Sequence, residues 1–350
     1  MNPIPLGTRT IGSDHPPFVI AEMAGNHNQS LERALAIVDA AAASGVDAVK
    51  LQTYTADTLT IDCGTSDFVI NDPQSLWNGR TLYDLYNEAH TPWEWHAALF
   101  ARCREHGVVG FSTPFDATAV DFLESLHVPL YKLASFENGD LALIQKIAAT
   151  KKPLIASIGM ARVDDVAELV NTARTAGARD IVLLKCTSTY PASPRDSHLR
   201  TIPDLREKFS VWPGLSDHTP GIGAAIASVA LGATVIEKHF TLSRSEGGVD
   251  AAFSLEPAEM QQLVMECRRA WEALGDVRYG AGESERGSLQ FRRSLYVVRD
   301  MQAGEIFTTE NVRCIRPGYG LAPKLFDEII GKRSKQALAR GTALRKEFVD

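Results

Sequence analysis

The chain has 350 residues, enough for one large domain and a small one, and 45% of them are hydrophobic. Its 43 acidic residues against 36 Lys and Arg give a formal charge of −7, which argues against a general nucleic-acid surface. The five cysteines include no C-x-x-C pair, no apolar run is long enough to cross a bilayer, and the start Met1-Asn-Pro-Ile-Pro-Leu-Gly7 lacks the basic and apolar pattern of a secretion signal. A reducing, cytoplasmic setting with neither membrane nor nucleic-acid partner is expected.

The first β-type run is Phe18–Ala24, followed by an apolar stripe at helical spacing, Leu31, Leu35, Val38 and Ala42, closed by Gly45. Further β-type runs follow at Ala48–Tyr54, Val108–Phe115, Leu130–Ala134, Leu154–Gly159, Ile181–Cys186, Val211–Leu215 and Val235–Phe240. Helical patterns over Asp116 to Leu126, Asp140 to Ala149, Val163 to Ala176 and Gly223 to Leu231 separate them. Strand–helix units repeated eight times predict an α/β fold, a closed parallel (β/α)8 TIM barrel. A doubly wound sheet is the alternative, but Ala24-Gly-Asn-His-Asn-Gln29 is not a Gly-rich phosphate turn. A long insert, 56 to 91, carries Trp77, Tyr83 and Tyr86 and has the place of a lid over the catalytic face. Val277 to Ser288 has linker chemistry, and beyond it the rhythm changes to short runs at Ser294–Val298, Glu305–Phe307 and Val312–Ile315. The expected domains are 1–280, a linker 281–288, and a small domain 289–350.

Active sites of such barrels lie at the C-terminal strand ends. Here those ends carry Glu22, Asn26 and His27, then Lys50 and Gln52, Ser112 and Thr113, Lys132 with Ser135 and Glu137, Lys185 with Thr187, Ser188 and Tyr190, Ser216 to His218, and Glu237 with His239. Lysine is rarely buried alone, so Lys50, Lys132 and Lys185 on apolar strands imply an anion inside, whereas Lys238 alternates away from His239 and belongs on the outer face. His218 and His239 close two neighbouring strands, and two imidazoles there suit an open site for a divalent metal. A histidine that only hydrogen-bonds within a core is the alternative reading. Glu22 and Glu137 are the inner-face carboxylates for proton handling.

Ala21-Glu-Met-Ala-Gly-Asn-His-Asn28, Val49-Lys-Leu-Gln-Thr53, Phe111-Ser-Thr-Pro-Phe115, Tyr131-Lys-Leu-Ala-Ser-Phe-Glu137, Leu184-Lys-Cys-Thr-Ser-Thr-Tyr-Pro191, Leu215-Ser-Asp-His218 and Ile236-Glu-Lys-His239 together resemble the sialic acid synthase family. Arg316-Pro-Gly-Tyr-Gly-Leu-Ala-Pro323 resembles its antifreeze-like (SAF, β-clip type) domain. The stretches around Leu76-Trp77, Leu82 to Tyr86 and Thr91 to His96 are similar to the pseudaminic acid branch, with the N-acetylneuraminate and legionaminate branches as alternatives. The resemblance implies a swapped homodimer that condenses phosphoenolpyruvate with an amino-sugar aldehyde, for this branch 2,4-diacetamido-2,4,6-trideoxy-altrose, giving a nine-carbon 2-keto acid and phosphate.

It also implies roles. Lys50 and Thr113 would hold the phosphoenolpyruvate carboxylate, and Lys132, Ser135, Ser188 and Ser216 its phosphate. Sialic acid synthases typically carry Asn where Ser188 stands, so that contact does not transfer unchanged. Gln52, Tyr190 and Asp250 match sugar-contact positions, and Arg316 matches an arginine supplied by the partner chain. The metal on His218 and His239, manganese or magnesium, would polarise the aldehyde. Two other classes stay open on the residues alone: a Schiff-base aldolase using an inward lysine, and a non-catalytic sugar-binding protein.

Overall fold

The computed structural model describes all 350 residues, which form two compact units, Met1–Gly275 and Asp276–Asp350. In the first, β1 (Ile4–Leu6) and β2 (Arg9–Ile11) make an antiparallel hairpin. Eight strands then close a parallel barrel: β3 (Phe18–Glu22), β4 (Ala48–Thr53), β5 (Val109–Pro114), β6 (Tyr131–Leu133), β7 (Leu154–Ser157), β8 (Ile181–Cys186), β9 (Trp212–Asp217) and β10 (Val235–His239). The last pairs with the first, His239 opposite Glu22. The expected (β/α)8 TIM barrel is therefore present, each run within a residue or two of its expected bounds.

The helices follow the sequence signals for local reasons. The helix α1 (Leu31–Ala43) starts where the Ser30 hydroxyl accepts from the Arg33 N–H. In the insert come α2 (Ala56–Leu59) and α3 (Leu82–Ala89), and α4 (His96–Glu105) then leads into β5. Asp116 caps α5 (Ala117–Ser125), and Asp140 caps α6 (Leu141–Ala149). The rest of the ring is α7 (Val163–Thr175), α8 (Thr201–Phe209), α9 (Gly223–Ala230) and α10 (Pro257–Leu274). No helix is long and apolar enough to cross a membrane.

Period-2 alternation sorts the strand residues into two cores. Phe18, Ile20, Ala48, Phe111, Leu130, Ile155, Val182, Leu184, Trp212 and Val235 fill the inside of the barrel, and Ile4, Leu6 and Ile11 of the hairpin pack with them as a plug. Val19, Val49, Leu51, Tyr131, Leu133, Leu183, Leu215 and Ile236 face the helices. The same alternation sends Glu22, Lys50, Gln52, Thr113, Lys132, Ser157, Ser216, Glu237 and His239 inward.

Two lysines depart from expectation. Lys185 follows Ile181 and Leu183 in phase, so it lies on the outer side, half-buried, its ammonium donating to the Cys186 carbonyl at 2.8 Å. The inward-lysine argument holds for Lys50 and Lys132 and not for Lys185. Lys238 is outer-facing as expected but never reaches solvent: it is 1% exposed and pairs with Asp217 at 2.8 Å. Outer-face snorkelling is thus replaced by a buried ion pair that joins β9 to β10 directly behind His218 and His239. Removing one partner of such a pair typically costs about 3–5 kcal/mol, against about 0–1 for an exposed pair such as Lys208 with Asp204.

The second unit has β11 (Ser294–Val297) antiparallel to β12 (Val312–Ile315), a short α11 (Phe326–Ile329), and a core of Leu295, Val297, Met301, Phe307, Leu338 and Leu344. The run expected at Glu305–Phe307 is not a strand. Ile306 makes only an isolated bridge to Arg333, while Phe307 is buried as a core anchor.

Candidate active site

The inward polar residues converge at the C-terminal mouth of the barrel. The Lys50 ammonium lies 2.6 Å from Glu22 Oε2, 3.2 Å from Glu237 Oε1 and 3.3 Å from the Thr113 hydroxyl. Lys132 lies 3.9 Å from the same Glu237 oxygen and donates to the Ser157 hydroxyl at 2.6 Å and the Leu133 carbonyl at 2.9 Å. Ser216 donates to Glu237 at 3.2 Å, and Gln52 to Glu22 at 3.1 Å. Glu22, Lys50, Lys132 and Glu237 are all buried. Burial brings the Lys50 pKa down to about 8. Burial alone would raise Glu237, but Lys132 and Lys50 outweigh it and hold its carboxyl below the ordinary range. One oxygen of each glutamate still has no aligned hydrogen-bond donor, even though Glu22 Oε2 is at ion-pair distance from Lys50.

Ser135 and Ser188 meet beside Lys132's strand. The Gly159 N–H donates to the Ser135 hydroxyl at 3.1 Å. A Cβ on Gly159 would come within 2.2 Å of the Ser188 oxygen and 2.7 Å of that of Ser135, so a side chain here would fill a small hydroxyl-lined cradle. Glu137 follows on the same turn. Burial lifts its pKa to about 7, and one of its oxygens is unpartnered.

His218 and His239 stand with ring centroids 5.3 Å apart. His218 Nδ1 is engaged by the Thr187 carbonyl at 2.9 Å, which leaves Nε2 free. His239 Nδ1 is buried without a partner, and burial keeps this ring well below the usual histidine range, in the neutral form that ligates metals. No third His, Cys, Asp or Glu joins them in a ligand set. The two rings fit an open site that takes its other donors from substrate or solvent.

The sugar-side candidates are partly assembled. Tyr190 packs on His218 at 4.4 Å between centroids. Asp250 accepts from the Gly25 N–H at 2.9 Å, and burial raises its pKa to about 6. A Cβ on Gly25 would lie 3.2 Å from Ala89 Cβ at the end of α3 and 3.3 Å from Asp250 Oδ2, closer than ordinary contact, so the first turn and the insert pack tightly here. The insert is thereby docked on the first turn, where Gln29 also donates to the Glu88 and His90 carbonyls. Arg316 belongs to the second unit, exposed after the end of β12.

Three contributors escaped assignment from sequence. Glu237 had its signal, since it is two residues from His239. Ser157 ends a strand with no other polar residue. Phe253, 4.9 Å from His239, gave no signal at all.

Residues 37–279 match the NeuB family and residues 292–350 the SAF domain. The chain is 42% identical to the pseudaminic acid synthase of Campylobacter jejuni over 95% of its own length and 97% of the relative's. It is 40% identical to the pseudaminic acid synthase of Helicobacter pylori, over 96% and 98%. The N-acetylneuraminic acid (sialic acid) synthetase of Leptospira borgpetersenii, solved in complex with citrate, superposes with a TM-score of 0.73 at 30% identity, covering 83% of this chain and 96% of that one.

The Glu137 environment generates a pH prediction. Its pKa is about 7 folded against 4.5 unperturbed, so between those values the folded protein holds a proton that the unfolded chain has lost. Stability from this group falls as pH rises through that window, by at most on the order of 3 kcal/mol. Urea midpoints of Glu137→Gln should match wild type near pH 4.5 and exceed it progressively toward pH 8. A difference that does not change with pH would show that folding leaves the Glu137 pKa unshifted.

Proposed function

The chain belongs to the NeuB family, and we propose that it catalyses the pseudaminic acid synthase reaction. Phosphoenolpyruvate condenses with 2,4-diacetamido-2,4,6-trideoxy-altrose, and a nine-carbon 2-keto sugar acid and phosphate are released, making the enzyme a carbon–carbon bond-forming transferase. The observation that carries this reading is the identity of 42% and 40%, over nearly the whole chain, to pseudaminic acid synthases of two organisms.

The site chemistry suits it. Lys50 and Thr113 hold the carboxylate of phosphoenolpyruvate, 3.3 Å apart and already hydrogen-bonded. Lys132, with the Ser135, Ser188 and Ser216 hydroxyls and Ser157 beside it, holds the phosphate as a point charge within a ring of donors. Gln52, Tyr190 and Asp250 bind the sugar. Glu137, part-protonated near neutrality, gives a proton to the aldehyde oxygen as carbon three of the enol attacks the aldehyde carbon. Glu22 takes a proton from the water that adds to carbon two, and the tetrahedral adduct then collapses with loss of phosphate. A divalent cation, manganese or magnesium, held by His218 and His239 supplies Lewis-acid polarisation of the aldehyde when bound. The Lys50 ammonium is held between two carboxylates and that of Lys132 by the Ser157 hydroxyl and the Leu133 carbonyl, so neither stands as a free amine for a Schiff-base route.

The test is phosphate release with a panel of amino sugars. The diacetamido-trideoxy-altrose should be turned over, chelator should abolish the rate, and manganese or magnesium should restore it. With 18O in the bridging position of phosphoenolpyruvate, the label should leave with phosphate. Label retained in the sugar acid would mean P–O cleavage and a different reaction.

Arg316 is assigned to the sugar site of the partner chain in a swapped homodimer. In a mixed dimer pairing a Lys132→Ala chain with an Arg316→Ala chain, action across the dimer gives one site both lesions and leaves the other intact. About half of wild-type activity should then survive. A nearly dead heterodimer would place Arg316 in its own chain's site.

A further inference from the structure

Three loops of the first unit meet at one side chain. Trp77, in the long insert, donates its indole N–H to the Val249 carbonyl at 3.0 Å, one residue before Asp250. Its ring lies 5.9 Å from that of Tyr190, in the loop after β8. Tyr190 in turn lies 4.4 Å from His218 and 5.2 Å from Phe253, and Phe253 lies 4.9 Å from His239. Tyr190 and Phe253 thus line one side of the two histidines, and Trp77 stands behind Tyr190 while holding the loop that carries Asp250.

Trp77 takes no part in the barrel cores and is only half-buried. Its single polar group is already spent on Val249, so it offers a substrate no hydrogen bond. What remains is an apolar ring, half-open, beside Tyr190 and next to the segment that carries Asp250. A hydroxyl pressed on that face loses water and gains no partner, whereas a methyl group loses nothing and buries apolar area.

We propose that Trp77 is a specificity-determining residue for the acceptor. With Tyr190 and Phe253 it forms an aromatic wall that selects a deoxygenated, acylated amino sugar by packing its methyl groups and rejects acceptors that present a hydroxyl there. This deepens the reaction proposed above and rests on it. One apolar group in a hydrophobic site is worth about 10–200-fold in kcat/KM, so the wall predicts a preference of that size.

The experiment compares kcat/KM for 2,4-diacetamido-2,4,6-trideoxy-altrose and for N-acetylmannosamine, whose carbon six carries a hydroxyl, in wild type, Trp77→Phe and Trp77→Gln. The phenylalanine variant keeps a ring and loses the N–H anchor. The glutamine variant keeps a donor for Val249 and loses the ring. Wild type should prefer the deoxy acceptor, Trp77→Phe should keep most of that preference, and Trp77→Gln should lose about tenfold or more of it, chiefly through acceptor KM. The phosphoenolpyruvate KM and the thermal midpoint should stay near wild type in both. A preference unchanged in Trp77→Gln, or a loss shared equally by both acceptors, overturns the wall while leaving the reaction standing. A wild type that turns over neither acceptor overturns the reaction and the wall together.

Discussion

Two lysines and two glutamates, locked together in the mouth of a barrel and closed off from water, set the terms for the rest of the site. Lys50 touches Glu22 and Glu237, and Lys132 shares Glu237 at 3.9 Å. Each charge alone would cost several kcal/mol to bury, so the four persist only as a set. Their charges cancel, and a small polyanion can take the lysines only as the glutamates yield them. One oxygen of each glutamate already lacks an aligned donor.

Alternation along the strands makes the lattice possible. Glu22 pairs in register with Lys50 on one side and with His239 on the other, so the level that holds the charges also holds a histidine. Behind it, the buried pair of Lys238 with Asp217 ties β9 to β10 at the same height. Much of this was legible in the sequence, because two-residue spacing fixes which side chains share a face. Lys50 with Gln52 and Glu237 with His239 could be read as inward pairs without coordinates. Lys185 could not, because the phase of its strand depends on which of two fully apolar faces lies inside.

Contacts between distant segments were the least legible. The hairpin that plugs the barrel has strands of three residues each, too short for a periodic signal. The turn after β3 holds Ala24, Asn28 and Gln29 at positive φ, values non-glycine residues rarely adopt, and such strain persists only where surroundings enforce it. Here they do: Gly25 binds Asp250, Asn26 donates to the Phe240 carbonyl and to Ser254, and Gln29 clasps the end of α3. Asp250 lies 225 residues from its partner, and Trp77 lies 172 from Val249, separations that no local pattern reports.

Calorimetric titration of phosphoenolpyruvate into the acceptor-free protein tests the central claim most directly, that the inward lysines of the lattice form the anion site. Wild type should bind, Lys50→Met and Lys132→Met should each weaken binding by about tenfold or more, and Lys185→Met, altered on the outer face, should bind like wild type. Equal weakening by all three, or undiminished binding by the Lys50 and Lys132 variants, would contradict the account.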